Sequence, residues 1–301
     1  MILLTGASGQ LGRVLAQPLK QMGTLTAPSR DALDLADGKA LKDALEAIQP
    51  ALIVNVAAYT DVDRAETETR QAYLVNAAAP EIMARWAATR GAPLLHVSTD
   101  YVYSGAGDTP HDEDEAPAPL NAYGASKLAG DEAIAQSGAP HLILRTSWLY
   151  DATGRNFLTS ILRAARTREE LRVVDDQIGA PTPAALVAAI AIEILQAGDP
   201  RETFAASGGV VHAAATGAAS RHEFARAIVD GLRKRGCDLA AQRVVPVPSI
   251  DMPAPAKRPL NSRLSLARLG QRFGIEPPDW RAALRPVLDA AARVEKKKPV
   301  P

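Results

Sequence analysis

The sequence predicts an α/β fold in which a doubly wound parallel sheet is joined to a smaller, mostly C-terminal α/β domain. Three observations support this prediction. Short, continuously apolar segments alternate with helical patterns through the first half of the chain, as in a parallel sheet covered by helices on both faces. A glycine-rich turn follows the first apolar segment and opens the first helix, which is typical of a Rossmann-type sheet. The regular alternation ends near residue 150.

The alternating elements can be placed one by one in the first half of the chain. Apolar segments bounded by turn residues predict buried strands over 2–5, 24–27, 52–56, 94–98 and 142–145. Apolar residues at helical spacing predict helices over 10–21, 38–48, 79–90 and 122–136.

Fewer elements can be placed after residue 150. Helical spacing predicts helices over 156–168 and 182–195, and Ser220 with Glu223 resembles a capping box at the start of another. Residues 246–261 carry five prolines and are predicted to be extended or in turns. The lysine-rich tail at 296–301 is predicted to be disordered.

The composition excludes several classes of protein. The 301 residues are 47% hydrophobic and 23% charged, which is typical of a globular chain. The 34 basic and 34 acidic residues balance, so the composition shows no excess of positive charge that would indicate nucleic-acid binding. The single cysteine, Cys237, excludes an intrachain disulfide and a cysteine-based zinc site. Because the chain shows neither a signal peptide nor an apolar segment of membrane-spanning length, we expect a soluble cytoplasmic protein.

The turn after the first strand carries Gly6, Gly9 and Gly12. One glycine permits the tight turn, one allows a pyrophosphate to approach the backbone, and one allows the helix to pack closely on the strand. The N–H groups at the start of the helix attract phosphate. The alternative is a tight turn whose glycines serve steric purposes alone. Because the motif joins a strand to a helix, we favour dinucleotide binding.

The residues after the second strand indicate which dinucleotide binds. No acidic residue stands directly at the strand end, where it would bind the ribose hydroxyls of NAD. Arg30 stands nearby and could neutralise the 2′-phosphate of NADP. We therefore expect NADPH as the cofactor, with NADH also accepted. The alternative is that Arg30 is an ordinary surface arginine.

Tyr123 and Lys127 have the i, i+4 spacing that places two side chains on one helix face. A nearby cation favours the phenolate and lowers the pKa of a tyrosine from about 10, so that it can exchange a proton near neutral pH. Thr99 follows the strand predicted upstream, at the sheet edge where ligands bind in parallel α/β proteins. The alternative is a surface tyrosine beside a solvated lysine. The position of Thr99 favours a catalytic set of all three residues.

These motifs together resemble those of the extended short-chain dehydrogenase/reductase superfamily. The shared positions are the glycine turn, Asn55-Val56-Ala57-Ala58, Ser98-Thr99-Asp100 and the pair Tyr123 and Lys127. Within that superfamily, the chain resembles the dTDP-4-dehydrorhamnose reductase family over residues 1–290, at segments 57–63, 145–150, 173–182, 258–259 and 262–264. The most specific of these stretches is Asp176-Gln177-Ile178-Gly179-Ala180-Pro181-Thr182.

The resemblance implies a reductase that converts dTDP-4-dehydro-β-L-rhamnose to dTDP-L-rhamnose with NADPH or NADH. Tyr123 would donate a proton to the C4 oxygen, Lys127 would bind the nicotinamide ribose and lower the Tyr123 pKa, and Thr99 would orient the keto oxygen. The cofactor-binding residues would be Gly6, Gly9, Gln10, Leu11, Gly12, Arg30, Asp34, Leu35, Ala57, Ala58, Tyr59, Tyr123 and Lys127. The substrate-binding residues would be Thr99, Asp100, Trp148, Asn156, Gln177 and Arg258, with Trp148 against the sugar.

One position departs from the family pattern. Some members bind magnesium and dimerise through a glutamate two residues after the third glycine, where this chain has Val14. We therefore expect no bound metal, and a homodimer remains open. Two other functions also remain open: another epimerase or reductase of nucleotide sugars, and a non-catalytic regulatory subunit that binds a dinucleotide. The intact set of Thr99, Tyr123 and Lys127 argues against the regulatory subunit.

The motifs and the loss of alternation together predict two domains. Residues 1–150 would form the NAD(P)-binding domain, completed by a helix at 181–198. Residues 151–180 and 199–301 would form the nucleotide-sugar-binding region.

Overall fold

The computed structural model describes residues 1–207 and 209–296. Strands alternate with helices through the first half of the chain, as predicted. Residues 297–301 of the tail that was predicted to be disordered lie outside the described residues. In the described part of the chain, no helix combines the length and the apolar character needed to cross a membrane.

The strands and helices are numbered separately along the chain. The strands are β1 (Ile2–Thr5), β2 (Leu25–Thr26), β3 (Leu52–Asn55), β4 (Leu94–Thr99), β5 (His141–Thr146), β6 (Leu149–Tyr150), β7 (Glu170–Val174), β8 (Ile178–Gly179), β9 (Thr182–Pro183), β10 (Val210–His212), β11 (Ala219–Ser220), β12 (Arg243–Val247) and β13 (Asn261–Ser262). The helices are α1 (Gln10–Met22), α2 (Gly38–Ile48), α3 (Val62–Ala65), α4 (Thr69–Tyr73), α5 (Ala79–Arg90), α6 (Ala122–Gln136), α7 (Phe157–Ala165), α8 (Ala184–Gln196), α9 (Pro200–Ala206), α10 (Arg221–Arg233), α11 (Ala267–Phe273) and α12 (Trp280–Lys296).

Six parallel strands form the large sheet, in the order β2-β1-β3-β4-β5-β10. Strand β2 pairs with one side of β1. The chain then crosses to the other side of β1, where β3, β4, β5 and β10 follow one another toward the opposite edge of the sheet. The strand order therefore reverses between β1 and β3, which is where doubly wound sheets bind ligands. The predicted α/β fold with a doubly wound parallel sheet is confirmed.

Helices cover both faces of the large sheet. On one face, Leu15 of α1 packs in the same apolar cluster as Ile190 of α8. On the other face, Leu45 of α2, Met83 of α5 and Ile134 of α6 share a second cluster. Leu15 and Leu45 repeat at helical spacing with other apolar residues of their helices, so the pattern that identifies these two helices also decides which side meets the sheet.

The predicted helix limits agree with the structure to different degrees. Helices α2, α5 and α6 begin and end at the predicted residues. Helix α7 begins after Asn156, which caps it, and α8 begins at Ala184, so both start later than predicted. The capping box is confirmed, because the side chains of Ser220 and Glu223 each accept the backbone N–H of the other.

A second apolar core lies beside the large sheet. Helices α7, α10 and α12 enclose it, with Leu158, Phe224 and Trp280 among its buried residues. Short strands pair around it, β7 with β12 and β8 with both β11 and β13. Strand β10 comes from the stretch 199–301, which the sequence assigned to the nucleotide-sugar-binding region, yet it pairs with β5 in the large sheet. The chain therefore returns to the large sheet after it has begun the second core.

Candidate active site

A cavity of about 1360 Å³ opens at the carboxyl ends of the strands of the large sheet. The glycine turn forms part of its wall, and the proline-rich segment after β12 forms another part. Every residue that the sequence predicted to bind cofactor or substrate lies on this wall. Common ligand pockets measure about 300–1,000 Å³, so this cavity has room for two ligands side by side.

The glycine turn has the geometry of a pyrophosphate cradle. Gly6 has a φ of +75°, and a Cβ on it would lie 2.7 Å from the backbone of Ala57. A Cβ on Gly12 would lie 2.1 Å from the carbonyl oxygen of Gly6. Gly9 caps α1 without a side-chain hydrogen bond, so no capping side chain occupies the first N–H groups of the helix. Those N–H groups and the helix dipole fit a bound anion.

The residues predicted to surround the adenosine lie next to this turn. Arg30 and Asp34 are exposed side chains on the cavity wall after β2. Ala57 donates its N–H to the side-chain oxygen of Asn55 at 3.3 Å, which holds the backbone after β3 in place. The hydroxyl of Tyr59 donates a hydrogen bond to the carboxylate of Glu68, the residue before α4, at 2.6 Å. The small side chain of Ala57 leaves space for a ligand close to the strand end.

Helix α6 positions Tyr123 and Lys127. Asn121 caps the helix by accepting the N–H of Gly124 at 2.8 Å. Tyr123 is half-buried, and Lys127 is only 1% exposed. The ammonium of Lys127 donates to the carbonyl oxygen of Val97 at 2.8 Å. The alternative of a surface tyrosine beside a solvated lysine is therefore wrong.

The electrostatics of this pair correct one expectation. Burial raises the pKa of Tyr123 above its usual value, and a hydrogen bond with Thr99 offsets this only in part. Burial also lowers the pKa of Lys127 to about 8, although Asp131 acts in the opposite direction. The pKa of Tyr123 is therefore not lowered in the protein by itself, as the pairing with Lys127 had predicted, because desolvation of the phenolate is the largest effect on it.

Thr99 and Asp100 lie where β4 ends. The hydroxyl of Thr99 donates to the carboxylate of Asp100 at 3.0 Å and accepts the N–H of Tyr101 at 3.2 Å. Asp100 is 2% exposed, and burial raises its pKa to about 6. In the described part of the chain, its second oxygen, Oδ2, is buried with no partner at hydrogen-bond distance, although the side chain of Ser262 lies near enough to the carboxyl group to lower its pKa. The cavity wall therefore carries a weakly acidic carboxyl group beside the hydroxyl of Thr99.

Three of the predicted substrate residues are already bound to protein groups. The amide oxygen of Asn156 caps α7, and its nitrogen donates to two backbone carbonyls. The nitrogen of Gln177 donates to the hydroxyl of Ser249 at 3.1 Å. Arg258 forms an ion pair with Asp63 at 2.8 Å. Asn156 therefore shapes the wall of the cavity, whereas Gln177 and Arg258 keep polar atoms for a ligand.

Trp148 and Arg221 form a stacked pair on the same wall. Trp148 has a φ of 47° and is 8% exposed. The guanidinium carbon of Arg221 lies 3.6 Å from the centre of a Trp148 ring. Sequence reasoning missed Arg221, because no motif separates it from an ordinary arginine in the first turn of a capped helix.

Val14 lies half-buried on α1, beside the start of α8. Within residues 1–207 and 209–296, no group of three or more histidine, cysteine, aspartate or glutamate side chains is arranged to hold a metal ion. That activity needs no metal stays a prediction.

Comparison with known proteins decides the family. The sequence profile described as the RmlD substrate binding domain matches residues 1–293. A protein from Burkholderia thailandensis named dTDP-4-dehydrorhamnose reductase is 43% identical, over 94% of this chain and 96% of its own length. The chain belongs to the dTDP-4-dehydrorhamnose reductase family. The resemblance noted from the motifs is confirmed.

Other members of the reductase family agree over nearly the whole chain. A dTDP-4-dehydrorhamnose reductase from Escherichia coli is 40% identical, over 96% of this chain and 97% of its own length. The crystal structure of a dTDP-4-dehydrorhamnose reductase from Bacillus anthracis in complex with NADP superposes with a TM-score of 0.87. That structure is 32% identical and covers 96% of this chain and 98% of its own.

Proposed function

We propose that this chain reduces dTDP-4-dehydro-β-L-rhamnose to dTDP-L-rhamnose with a nicotinamide cofactor, NADPH in preference to NADH. The observation that carries the proposal is that Thr99, Tyr123 and Lys127 share one cavity with the glycine turn. Membership of the reductase family supports the substrate. The NADP bound to the relative from Bacillus anthracis supports the cofactor.

The cavity wall supplies groups for each part of the cofactor. The backbone of Gly9, Gln10 and Leu11 would bind the pyrophosphate, and the side chain of Arg30 would bind the 2′-phosphate. Lys127 carries three N–H groups; its ammonium donates to the carbonyl oxygen of Val97 and also lies 2.9 Å from Nε2 of His96. It would therefore bind the ribose hydroxyls with the rest. When bound, the nicotinamide would supply a hydride to C4 of the sugar.

Tyr123 is the proposed general acid. Its phenolic proton passes to the C4 oxygen as the carbonyl becomes a hydroxyl, so one hydride and one proton complete the reduction. Burial keeps this proton on Tyr123 before the reaction, since it raises the pKa of the phenol. Thr99, whose hydroxyl lowers the pKa of the neighbouring Tyr123, would orient the keto oxygen. The ammonium of Lys127 would stabilise the phenolate that results.

The far end of the cavity would hold the rest of the substrate. Asp100, whose side chain lies on the cavity wall, would bind a sugar hydroxyl. Gln177 would bind the nucleotide-sugar side through its amide oxygen. Arg258 suits a phosphate oxygen, because its forked guanidinium forms parallel hydrogen bonds.

We also propose that the two apolar cores correspond to two domains. The cofactor domain would comprise residues 1–150 with helix α8 and strand β10. The remaining residues of 151–301 would bind the nucleotide sugar. We further propose a cytoplasmic location and activity without a metal ion.

Turnover with purified protein tests the function. We expect NADPH to be oxidised in the presence of dTDP-4-dehydro-β-L-rhamnose, with dTDP-L-rhamnose as the product identified by mass spectrometry and NMR. Binding of NADPH without turnover would instead favour the regulatory subunit. A product with the opposite configuration at C4, or an isomer formed without net oxidation of NADPH, would favour another enzyme of nucleotide sugars.

A further inference from the structure

His96 lies next to the proposed catalytic lysine and has no part in the proposed reduction. It stands on β4 and is fully buried. Nε2 of its ring lies 2.9 Å from the side-chain nitrogen of Lys127, and Nδ1 lies 2.9 Å from the amide nitrogen of Asn55. Both ring nitrogens are therefore engaged, and the position of the ring proton decides which group of His96 faces the lysine.

The amide of Asn55 determines which nitrogen of His96 carries the proton. Thr5 donates its hydroxyl to Oδ1 of Asn55 at 2.6 Å, and Ala57 donates its N–H to the same oxygen at 3.3 Å. A backbone N–H can only donate, so this oxygen faces Ala57 and the amide nitrogen faces His96. Burial lowers the pKa of His96 well below its usual value, so the ring is neutral. Its Nδ1 accepts from the amide nitrogen, and its proton is on Nε2.

A carboxylate near the ring agrees with this proton position. Oδ1 of Asp131 lies 3.9 Å from Nε2 of His96, and within the described residues it is buried with no partner at hydrogen-bond distance. The other oxygen, Oδ2, accepts from Ser98 at 2.8 Å and from Arg145 at 3.1 Å. A carboxylate oxygen attracts an N–H group and repels a lone pair, so Asp131 also favours a proton on Nε2.

An N–H group that faces Lys127 favours the uncharged form of this lysine. The amine nitrogen has a lone pair that can accept the Nε2–H of His96 at 2.9 Å, whereas an ammonium has none. In either form the lysine nitrogen donates to the carbonyl oxygen of Val97. Burial acts in the same direction as His96 and lowers the pKa of Lys127 to about 8, while Asp131 acts in the opposite direction. Lys127 can therefore lose its charge near neutral pH.

The other charged and titratable groups around Lys127 come from α6, β5 and the turn after β4. On α6, Asp131 is paired with Arg145 of β5 at 3.1 Å, which neutralises part of its charge. Tyr123, one turn before Lys127, stays protonated because burial raises its pKa, and Asp100 after β4 acts on Tyr123 in the same direction. Of all these groups, His96 is the one at hydrogen-bond distance from the lysine nitrogen.

We propose that His96 is a positioning residue for Lys127: with its proton held on Nε2 by Asn55, it decides the pH at which the lysine loses its charge. Hydrogen bonds thus connect Ala57 on the cavity wall, through Asn55 and His96, to Lys127. The consequence for turnover rests on the proposed function, in which the charge of Lys127 stabilises the phenolate of Tyr123.

The tautomer of His96 can be measured directly in the wild-type protein. In a sample whose histidine rings are labelled with nitrogen-15, long-range proton–nitrogen correlations show which ring nitrogen carries the proton. The chain has five histidines, and the signals that are absent from His96→Gln identify those of His96. We expect a neutral ring protonated on Nε2 between about pH 6 and pH 9. A proton on Nδ1 would overturn the proposal. If His96→Gln does not fold, replacing the other histidines one at a time gives the same assignment.

His96→Gln tests whether the ring sets the charge of Lys127. The amide oxygen of glutamine can take the place of Nε2 and accept a hydrogen bond from the ammonium, so the pKa of Lys127 should rise from about 8 to about 9. Carbon-13 NMR of lysines labelled at Cε measures this pKa without substrate, and Lys127→Met assigns the signal. The control is His141→Gln at the start of β5, at the opposite end of the strand from the cavity, and it should leave the pKa of Lys127 unchanged.

The pH dependence of turnover gives a second measurement. In the wild type, kcat/KM for the keto sugar should fall as the pH rises through the pKa of Lys127, because the charge that stabilises the phenolate is lost. In His96→Gln this fall should move to higher pH by about one pH unit, as the pKa of Lys127 does, with little change in turnover at lower pH. A variant that is slower at every pH, with the fall at its wild-type position, would show that His96 serves the fold alone and would overturn the proposal.

The role of His96 and the proposed function can fail separately. A raised pKa of Lys127 in His96→Gln, in a protein that does not reduce the keto sugar, would support the role of His96 and reject the reductase. An unchanged pKa of Lys127 in His96→Gln would overturn the role of His96, even if the wild type is an active reductase.

Discussion

Lys127 carries a charge into the interior, and its neighbours show how the protein accommodates it. Its ammonium donates to the carbonyl oxygen of Val97 at 2.8 Å and lies 2.9 Å from Nε2 of His96. Asp131 favours the charged form of Lys127 and is itself paired with Arg145 at 3.1 Å. A lysine held by several partners loses little further freedom on binding, which suits a group that must meet both a ribose and a phenol.

The role of Tyr123 can be isolated by Tyr123→Phe, which keeps the ring and removes the transferable proton. Turnover should fall by about 10²–10⁴, the contribution of a placed general acid. NADPH affinity and the melting temperature should change little, because the phenol oxygen contributes to neither. Steady-state kinetics, NADPH titrations and thermal melting curves measure the three quantities. Tyr73→Phe is the matched control, since Tyr73 lies on the surface at 38% exposure. Retention of more than about a tenth of the turnover would reject Tyr123 as the acid.

Asp100 makes the stability of the protein depend on pH. Its folded-state pKa is raised to about 6 by burial, whereas an unfolded aspartate titrates near pH 3.9. The folded state therefore binds this proton more tightly, and the resulting stability is full below about pH 4 and is lost as the pH rises through 6. Asp100→Asn should thus gain stability relative to the wild type by about 3 kcal/mol between pH 4 and pH 7, because each pH unit between the two pKa values contributes about 1.4 kcal/mol. Urea denaturation across this range measures the difference, and a difference that does not vary with pH would contradict the assignment.

At the scale of elements, the long periodic helices were predictable and the short ones were not. Helices α2, α5 and α6 were placed to the residue because their apolar side chains repeat at helical spacing over three or more turns. Helix α4 and the π-helical turn Leu74–Ala78 were missed. There Asn76 donates to the carbonyl oxygen of Tyr59 at 3.1 Å and to the hydroxyl of Ser126 at 3.0 Å. Such segments depend on tertiary contacts that local sequence does not contain.

The residues of the candidate site were predictable to the same unequal degree as the helices. Residues carried by motifs at the ends of strands and the start of helices, such as Thr99 and Gly12, were predicted and lie on the cavity wall. Arg221 was missed, because its contact with Trp148 joins two segments far apart in the chain. The pKa of Tyr123 was predicted in the wrong direction, since the spacing to Lys127 is visible in the sequence and the burial of the phenol is not.

The glycine turn gives a prediction about an element as a whole. Gly12→Ala adds a Cβ that would lie 2.1 Å from the carbonyl oxygen of Gly6, so the turn or α1 must move. We expect a loss of about 1–3 kcal/mol in the free energy of unfolding, as for overpacked interiors, and a Kd for NADPH raised at least about tenfold. Chemical denaturation and NADPH titration measure the two effects.

A matched control for Gly12 lies in helix α11. A Cβ on Gly270 would meet its nearest neighbour at 3.9 Å, an ordinary contact. Gly270→Ala should therefore stabilise the protein by about 0.5–1 kcal/mol, because alanine loses less conformational freedom in a helix than glycine. Equal behaviour of the two variants would show that close packing at the turn is not what requires glycine at position 12.

For the whole molecule, the cavity is closed by contacts between segments far apart in the chain. Asp63, after β3, accepts hydrogen bonds from the side chain of Arg258 and from the N–H of Ala256. Asn121, at the start of α6, donates to the carbonyl oxygen of Lys257 at 2.8 Å. The proline-rich segment is thus anchored to the connections that follow β3 and β4 of the large sheet. A ligand in the cavity touches both cores, so binding and folding should be coupled across the molecule.

The same long-range connections predict which fragments fold. Residues 1–150 contain five strands of the large sheet and lack β10, which pairs with β5. They also lack α8, whose Val187 and Ile194 cover the apolar face of α1. Exposure of that face and of a sheet edge should prevent a stable fold. We therefore expect fragment 1–150 to show no cooperative thermal transition and no NADPH binding.

Fragment 1–215 restores both missing elements and is the matched comparison. It contains the whole large sheet and α8, while it lacks α10 and α12, which close the second core. We expect it to bind NADPH and to unfold cooperatively, at a lower temperature than the full chain because the apolar face of α7 is left uncovered. It should not bind dTDP, since Arg258, which is proposed to bind a phosphate oxygen, lies beyond its end. Circular dichroism melts and titrations with both ligands decide the matter. Folding and NADPH binding by fragment 1–150 would show that α8 and β10 are dispensable for the cofactor domain, and failure of fragment 1–215 to bind NADPH would show that the cofactor domain cannot be separated from the second core.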